Sequence, residues 1–275
     1  MKKIIMKIKD NATQMAELFM LFFVLFLPSI VDIQGMFNYY VTSNTINPDN
    51  VFYILLLGRS NIIIGVVLCC AALHSIRKYN SEKVTMNRIN TYHAYPYLWY
   101  WFSAKILNIR KCDLKKVPSY IQMKIIINNV FDEFPMDEND YPEDEVEVKV
   151  EKKNFKKGSV PREINIIIED TYPIEHRQLP RSKSALPTLK VYRDRGNDWS
   201  RHYSQKLIGM VSSELRKLPE DITVNVFATL NPKNMMYVAQ GAFAMGERGN
   251  VSHLYVFRQN SDNGRNFRDK GKKIY

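Results

Sequence analysis

The sequence predicts a two-helix transmembrane hairpin followed by a cytosolic α/β domain with a Rossmann-like, mostly parallel sheet. Three observations lead there. Two dense apolar blocks fall within the first 75 residues, basic residues flank the pair but are missing between them, and beyond residue 160 apolar strand-like runs alternate with helical patterns. The expected division is a hairpin over residues 1–78, an aromatic and basic juxtamembrane connector over 79–118, and a cytosolic domain over 119–275.

The first block, MAELFMLFFVLFLPSIVDI (15–33), has Glu17 and Asp32 near its ends; the second, VFYILLLGRSNIIIGVVLCCAAL (51–73), contains Arg59. Each reaches the roughly 20 residues that a helix needs to cross about 30 Å of hydrocarbon. Lys2, Lys3, Lys7 and Lys9 precede the first block, Arg77, Lys78, Lys83 and Arg88 follow the second, and QGMFNYYVTSNTINPDN between them has neither Lys nor Arg. The positive-inside rule then puts both termini of a multi-pass protein in the cytoplasm and the short loop outside. The first block lacks a small-x-small cleavage site after it, so it reads as a retained span rather than a signal peptide. Arg59 would lie about 12 Å into its helix, either snorkelling to head groups or facing a partner such as Asp32. These two are the candidate membrane-functional residues.

The stretch YHAYPYLWYWFSAKILNIRK (92–111) is too short to span. Aromatics beside lysines suit either a head-group layer or a core element, and both readings stand. SYIQMKIIINNVF (119–131) reads as a short strand. DEFPMDENDYPEDEVE (132–147) holds nine of the 28 acidic residues and no Lys or Arg, and reads as a solvated loop. The rest of the chain carries 39 basic against 19 acidic residues, an excess of 20, which suits an anionic partner.

VEVKVEKK (146–153) alternates like a half-exposed strand, and REINIIIED (162–170) has the continuous apolar run of one buried on both faces. TLKVYRDRG (188–196) is another strand. NDWSRHYSQKLIGMVSSELRKLP opens on a capping Asn197 or Asp198 and spaces Trp199, Tyr203, Leu207, Val211 and Leu215 along one helical face. DITVNVFAT (221–229) is a buried strand, followed by a helix with Asn231 as N-cap and Pro232 at N1. NVSHLYVFRQ (250–259) closes the sheet, and the Lys/Arg-rich tail is expected to be loose.

Ligands of such sheets bind beyond the carboxyl ends of the strands. Glu169, Asp170 and Thr171, Arg193 and Arg195, Thr229, Asn231, Lys233 and Asn234, and Arg258 and Gln259 occupy those ends. The ligand-binding set is Thr171, Arg193, Arg195, Thr229, Asn231, Lys233, Asn234 and Arg258. There is no G-x-G-x-x-G, no Walker pattern, no Ser/His/Asp or Cys/His set and no zinc spacing among the three cysteines and five histidines. The expectation is a protein without catalytic residues, metal or cofactor.

INIIIEDTYPIEHRQLP and ITVNVFATLNPKNMMYVAQGAFAMGERGNVSHLYVF resemble the SAVED domain, a CARF-like cyclic-oligonucleotide sensor of bacterial CBASS antiphage systems. The likeness covers about residues 161–259, and residues 80–155 are short for the first half of a full SAVED domain, which implies a reduced version. The resemblance implies a membrane-anchored antiphage effector that binds a cyclic di- or trinucleotide at the turn from Thr229 to Asn234. It further implies self-association into a homo-oligomer and disruption of the bilayer, killing the infected cell (abortive infection), with no DNA or RNA polymer as partner. The alternative is a structural inner-membrane component of a conjugation or secretion apparatus.

Overall fold

A computed structural model describes residues 11–40, 56–86, 92–156, 158, 160–196, 198, 200–244, 250–260 and 264–275. The chain divides into two compact units, Met1–Ile89 with Trp101–Lys111, and Asn90–Tyr100 with Cys112–Tyr275.

The first unit is built on helices α1 (Ala12–Ile30), α2 (Ile33–Tyr40) and α3 (Ser60–Asn80). The stretch Ala12–Tyr39, which runs through α1 and α2, and helix α3 are each long and apolar enough to cross a membrane. Their surface inverts that of a soluble helix, since Phe19, Phe22, Phe23 and Phe26 of α1 and Ile62, Val66 and Val67 of α3 are exposed. A helix that is apolar outward is suited to lipid. The contact between α1 and α3 relies on a small residue, because a Cβ added at Gly65 would stand 2.3 Å from the Leu25 carbonyl oxygen. At the far end of α3, Leu21, Ile76, Leu107 and Ile109 form a buried cluster.

The second span differs from the sequence reading. Residues 56 and 57 are helical, a turn at 58–59 interrupts the span, and α3 starts at Ser60 with Arg59 as N-cap, so Arg59 is exposed at a break rather than inside a continuous helix. The Gly58-Arg59-Ser60 sequence explains this, because glycine weakens a helix interior and leaves the turn free to open. Residues 51–55, the Lys2–Lys9 flank, Arg88 and most of the loop between the spans lie outside the described residues.

The second unit carries a six-stranded sheet. Its strands are β1 (Val148–Lys153), β2 (Glu163–Glu169), β3 (Thr188–Arg193), β4 (Ile222–Thr229), β5 (Val251–Val256) and β6 (Lys272–Lys273), in the order β1-β3-β2-β4-β5-β6. The central four are parallel and both edge strands are antiparallel. Side chains alternate across a strand, and Ile167 and Phe227, in register, join Ile174, Leu179, Phe257 and Phe267 on one face. The Phe227 ring stacks on Phe257 at 4.5 Å and meets the edge of Phe267 at 5.1 Å. Among the helices, α4 (Gln205–Arg216) lies against β1 and β3, and α5 (Pro232–Val238) packs on it through a π-helical continuation, Ala239–Phe243. Leu207, Val211 and Leu215 are the buried face of α4, as their spacing predicts. Its cap is Ser204, whose hydroxyl accepts from the Leu207 N–H, instead of Asn197 or Asp198. Asn197 and Trp199 lie outside the described residues.

Two further expectations are corrected. Ser119–Ile127 is a helix, not a strand. An unbroken apolar run does not distinguish the two by period, and here Ile121, Met123, Ile125 and Ile126 are all buried while Gln122 donates to the carbonyls of Leu114 and Val117. The tail is ordered as well. Residues 272–273 pair with β5, covering an edge that would otherwise be exposed, and Phe267 and Ile274 are buried. Phe267→Ala is expected to destabilise this unit by about 3–5 kcal/mol, read as a lowered thermal midpoint of the purified protein.

Candidate functional site at the carboxyl edge of the sheet

From β2 the chain crosses to β3 on one side, then to β4 and β5 on the other. The topological switch point therefore lies between β2 and β4, where an open α/β sheet offers its ligand crevice. Glu169 and Thr229 end the two strands in register.

The next residue, Asp170, is fully buried. Its Oδ2 accepts from the Asn231 N–H at 3.0 Å, the Asn231 Nδ2 at 2.9 Å and the Asn234 Nδ2 at 3.0 Å. Its Oδ1 accepts from the Arg193 Nη1 at 2.6 Å, and Arg193 also forms an ion pair with Asp144. Local sequence makes this possible. Asn231, with Pro232 after it, caps α5 through its Oδ1 on the Asn234 N–H at 3.0 Å, which leaves its Nδ2 for Asp170. Both asparagine amides also donate to the His202 carbonyl, at 2.7 and 2.9 Å, and the Ser204 N–H donates to Asn234 Oδ1 at 3.0 Å. One carboxylate thus fixes the ends of β2, β3 and β4 and the loop before α4.

Thr171 and Thr229 extend the network. The Thr171 N–H and hydroxyl both donate to the Thr229 carbonyl, at 2.7 and 2.6 Å, and the Thr229 hydroxyl donates to the Tyr172 carbonyl at 2.7 Å. Glu169 accepts from the Ile174 N–H and pairs with Lys190 at 2.9 Å.

Burial pushes the Asp170 carboxyl above its ordinary range, while the Asn231 and Asn234 hydrogen bonds and the Arg195 charge pull it back. Burial, and then the neighbouring Arg195 charge, lowers Arg193 to about 10, so it stays cationic at neutral pH. Burial lowers Arg195 too; its Nη1 donates to the Ser200 carbonyl at 2.9 Å.

The structure therefore brings Thr171, Arg193, Thr229, Asn231 and Asn234 together, buried and bonded to one another and to Asp170. Lys233 stands apart on the rim, its Nζ 4.8 Å from the Tyr203 ring centroid, with Tyr203 against Tyr237 at 5.2 Å. On the other side of the switch point, the exposed Tyr172 ring carries the Arg265 guanidinium at 3.8 Å. Arg258 and Gln259 follow β5, where their backbones pair with Arg268 and Phe267, outside the Asp170 network. In the first unit, Asp32 has φ 54° between α1 and α2 and its Oδ1 accepts from the Gly35 N–H at 3.1 Å. No ion pair joins Asp32 and Arg59 among the described residues. Asp144, His202, Tyr203, Tyr237, Tyr172 and Arg265 are additions to the predicted ligand set that no local motif marks, because each meets a partner distant in sequence.

Solved structures that align with this chain include the Acinetobacter baumannii Cap4 SAVED/CARF-domain containing receptor. With the cyclic trinucleotide 2'3'3'-cAAA it aligns at 10% identity and TM-score 0.44, over 90% of this chain and 66% of that one. With 3'3'3'-cAAA the values are 10%, 0.43, 80% and 59%. Without a named ligand they are 10%, 0.41, 90% and 65%. This chain thus spans less than two thirds of the length of those receptors. A search of curated proteins finds no match. A family model, the SMODS- and Ubiquitin system-associated 2TM effector domain, matches residues 1–275. With two apolar helices ahead of a mostly parallel sheet, the chain belongs to the SMODS- and ubiquitin-system-associated two-transmembrane effector family.

Proposed function

We propose that this effector binds a cyclic oligonucleotide at the carboxyl edge of its sheet and responds by self-assembling and disrupting the membrane that holds it, without catalysing a reaction. The observation that carries the reading is the position of the aromatic and cationic rim. Lys233 with Tyr203 and Tyr237, and Tyr172 with Arg265, flank the β2/β4 switch point. Bases stack on aromatic faces and guanidinium planes, and phosphates are neutralised by lysine and arginine. Beneath the rim, the Asp170 network holds the strand ends rigid, which lowers the cost of ordering a site. In this reading Asn231, Asn234, Thr171, Thr229 and Arg193 build the floor, and Lys233, Arg195 and Arg258 supply positive charge toward the ligand.

Dye leakage from liposomes carrying the full-length protein tests the reading. Leakage is expected on addition of a cyclic di- or trinucleotide and not of the linear oligonucleotide. Lys233→Glu leaves the buried network intact and is expected to reduce the response at least tenfold, the order set by replacing one attractive charge contact with a repulsive one. Tight liposomes under every cyclic nucleotide would remove the membrane half of the proposal.

A further inference from the structure

The segment that follows α3 in the first unit has an outward face that its internal packing leaves uncovered. The helical turns Tyr97–Trp101 and Phe102–Ile106 run into Leu107–Ile109. Ser103, Ala104, Leu107 and Ile109 are buried. Trp101 is 41% exposed, and Lys105 on the turn after it is exposed. Trp101 and Lys105, four residues apart and so about one turn, share one face.

The place of Trp101–Lys111 in the first unit is fixed by polar contacts. The last carbonyls of a helix lack internal partners, and here the Arg77 Nη1 donates to the carbonyls of Lys105 at 2.7 Å and Ile106 at 2.9 Å. Asn108 Nδ2 returns a bond to the Arg77 carbonyl at 3.1 Å. Asn80 Nδ2 donates both to the Leu107 carbonyl at 3.2 Å and to Glu17 Oε2 at 2.9 Å. Leu107 and Ile109 pack with Leu21 and Ile76 of the two long helices.

The 21 residues of α3 measure about 31 Å, the thickness of the hydrocarbon layer. Arg77 and Asn80, in its last turn, thus fall at a bilayer boundary, and the segment bonded to them lies at the same depth. We propose that Trp101 and Lys105 rest in the lipid head-group layer, making Trp101–Lys111 a third membrane contact of the first unit that lies along the surface beside the two spans. The occupant of the uncovered face is lipid. Its composition fits, since tryptophan prefers the interface, and Lys105 with Arg77, Lys78, Arg110 and Lys111 of the same unit attracts anionic head groups.

Tryptophan quenching tests this independently of any ligand or leakage. The full-length protein carrying Trp99→Phe and Trp199→Phe retains Trp101 as its one tryptophan. Reconstituted in phosphatidylethanolamine–phosphatidylglycerol vesicles, it is expected to be quenched strongly by lipids brominated near the head group and weakly by lipids brominated at the chain ends or by aqueous iodide. Should the double variant fail to fold, the single variants read together give the same comparison. Dominant quenching by iodide, dominant quenching from the chain ends, or protection from all three would overturn the assignment.

Discussion

Asp170→Ala is expected to destabilise the sheet domain by about 3–5 kcal/mol, the cost of removing one member of a buried ion pair. The size follows from what is left behind. Arg193 would keep Asp144 but lose the Nη1 partner at 2.6 Å, in a site where its side chain is almost fully enclosed. Asn231 and Asn234 would each lose an acceptor from a buried amide, and an unmade buried hydrogen bond costs about 1–3 kcal/mol. Asp170→Asn keeps the shape and one acceptor oxygen, so a smaller loss is expected. Thermal unfolding of the detergent-purified protein reads both, and a midpoint unchanged in Asp170→Ala would show that the carboxylate does not hold the strand ends.

Gly65→Leu is expected to separate the two long helices. Even a single Cβ at this position would sit 2.3 Å from the Leu25 oxygen and 3.3 Å from its carbon. Both are backbone atoms, so no side chain can rotate away to make room. Overpacking of this kind costs roughly 1–3 kcal/mol, and it acts where helix association relies on close approach rather than on a hydrophobic gain. Titration with SDS, followed by circular dichroism, is expected to unfold Gly65→Ala earlier than the native protein and Gly65→Leu earlier still. Coincident curves for all three would mean that α1 and α3 do not pack through this glycine.

Much of the fold could be read from the sequence because its signals were periodic. The two apolar blocks, the Ile-rich run of β2, the i+4 steps of α4 and the Asn-Pro opening of α5 each carry their own period or cap. Ser119–Ile127 escaped because a run of isoleucines has no period. The tail escaped because only Phe267 and Ile274 tell against its charge. At the site, the residue types were legible but not their roles. Asn231, Asn234, Thr171 and Thr229 are polar residues at strand ends, which sequence reads equally well as ligand contacts. In the structure they bond to Asp170 and to one another. That distinction depends on His202, which is 29 and 32 residues from Asn231 and Asn234, and on Asp144, 49 residues before its partner Arg193. Lys233 lies outside that network, with its Nζ over the Tyr203 ring.

The account is tested most directly by calorimetric titration of the detergent-purified full-length protein with cyclic oligonucleotides. The series would include cyclic di- and trinucleotides, with a linear trinucleotide as the control. Saturable binding to at least one cyclic member is expected, lost or reduced at least tenfold in Lys233→Glu, with no binding of the linear form. A folded protein that binds none of the cyclic members, or one whose binding is unchanged by Lys233→Glu, would contradict a cyclic-oligonucleotide site on the rim of the sheet.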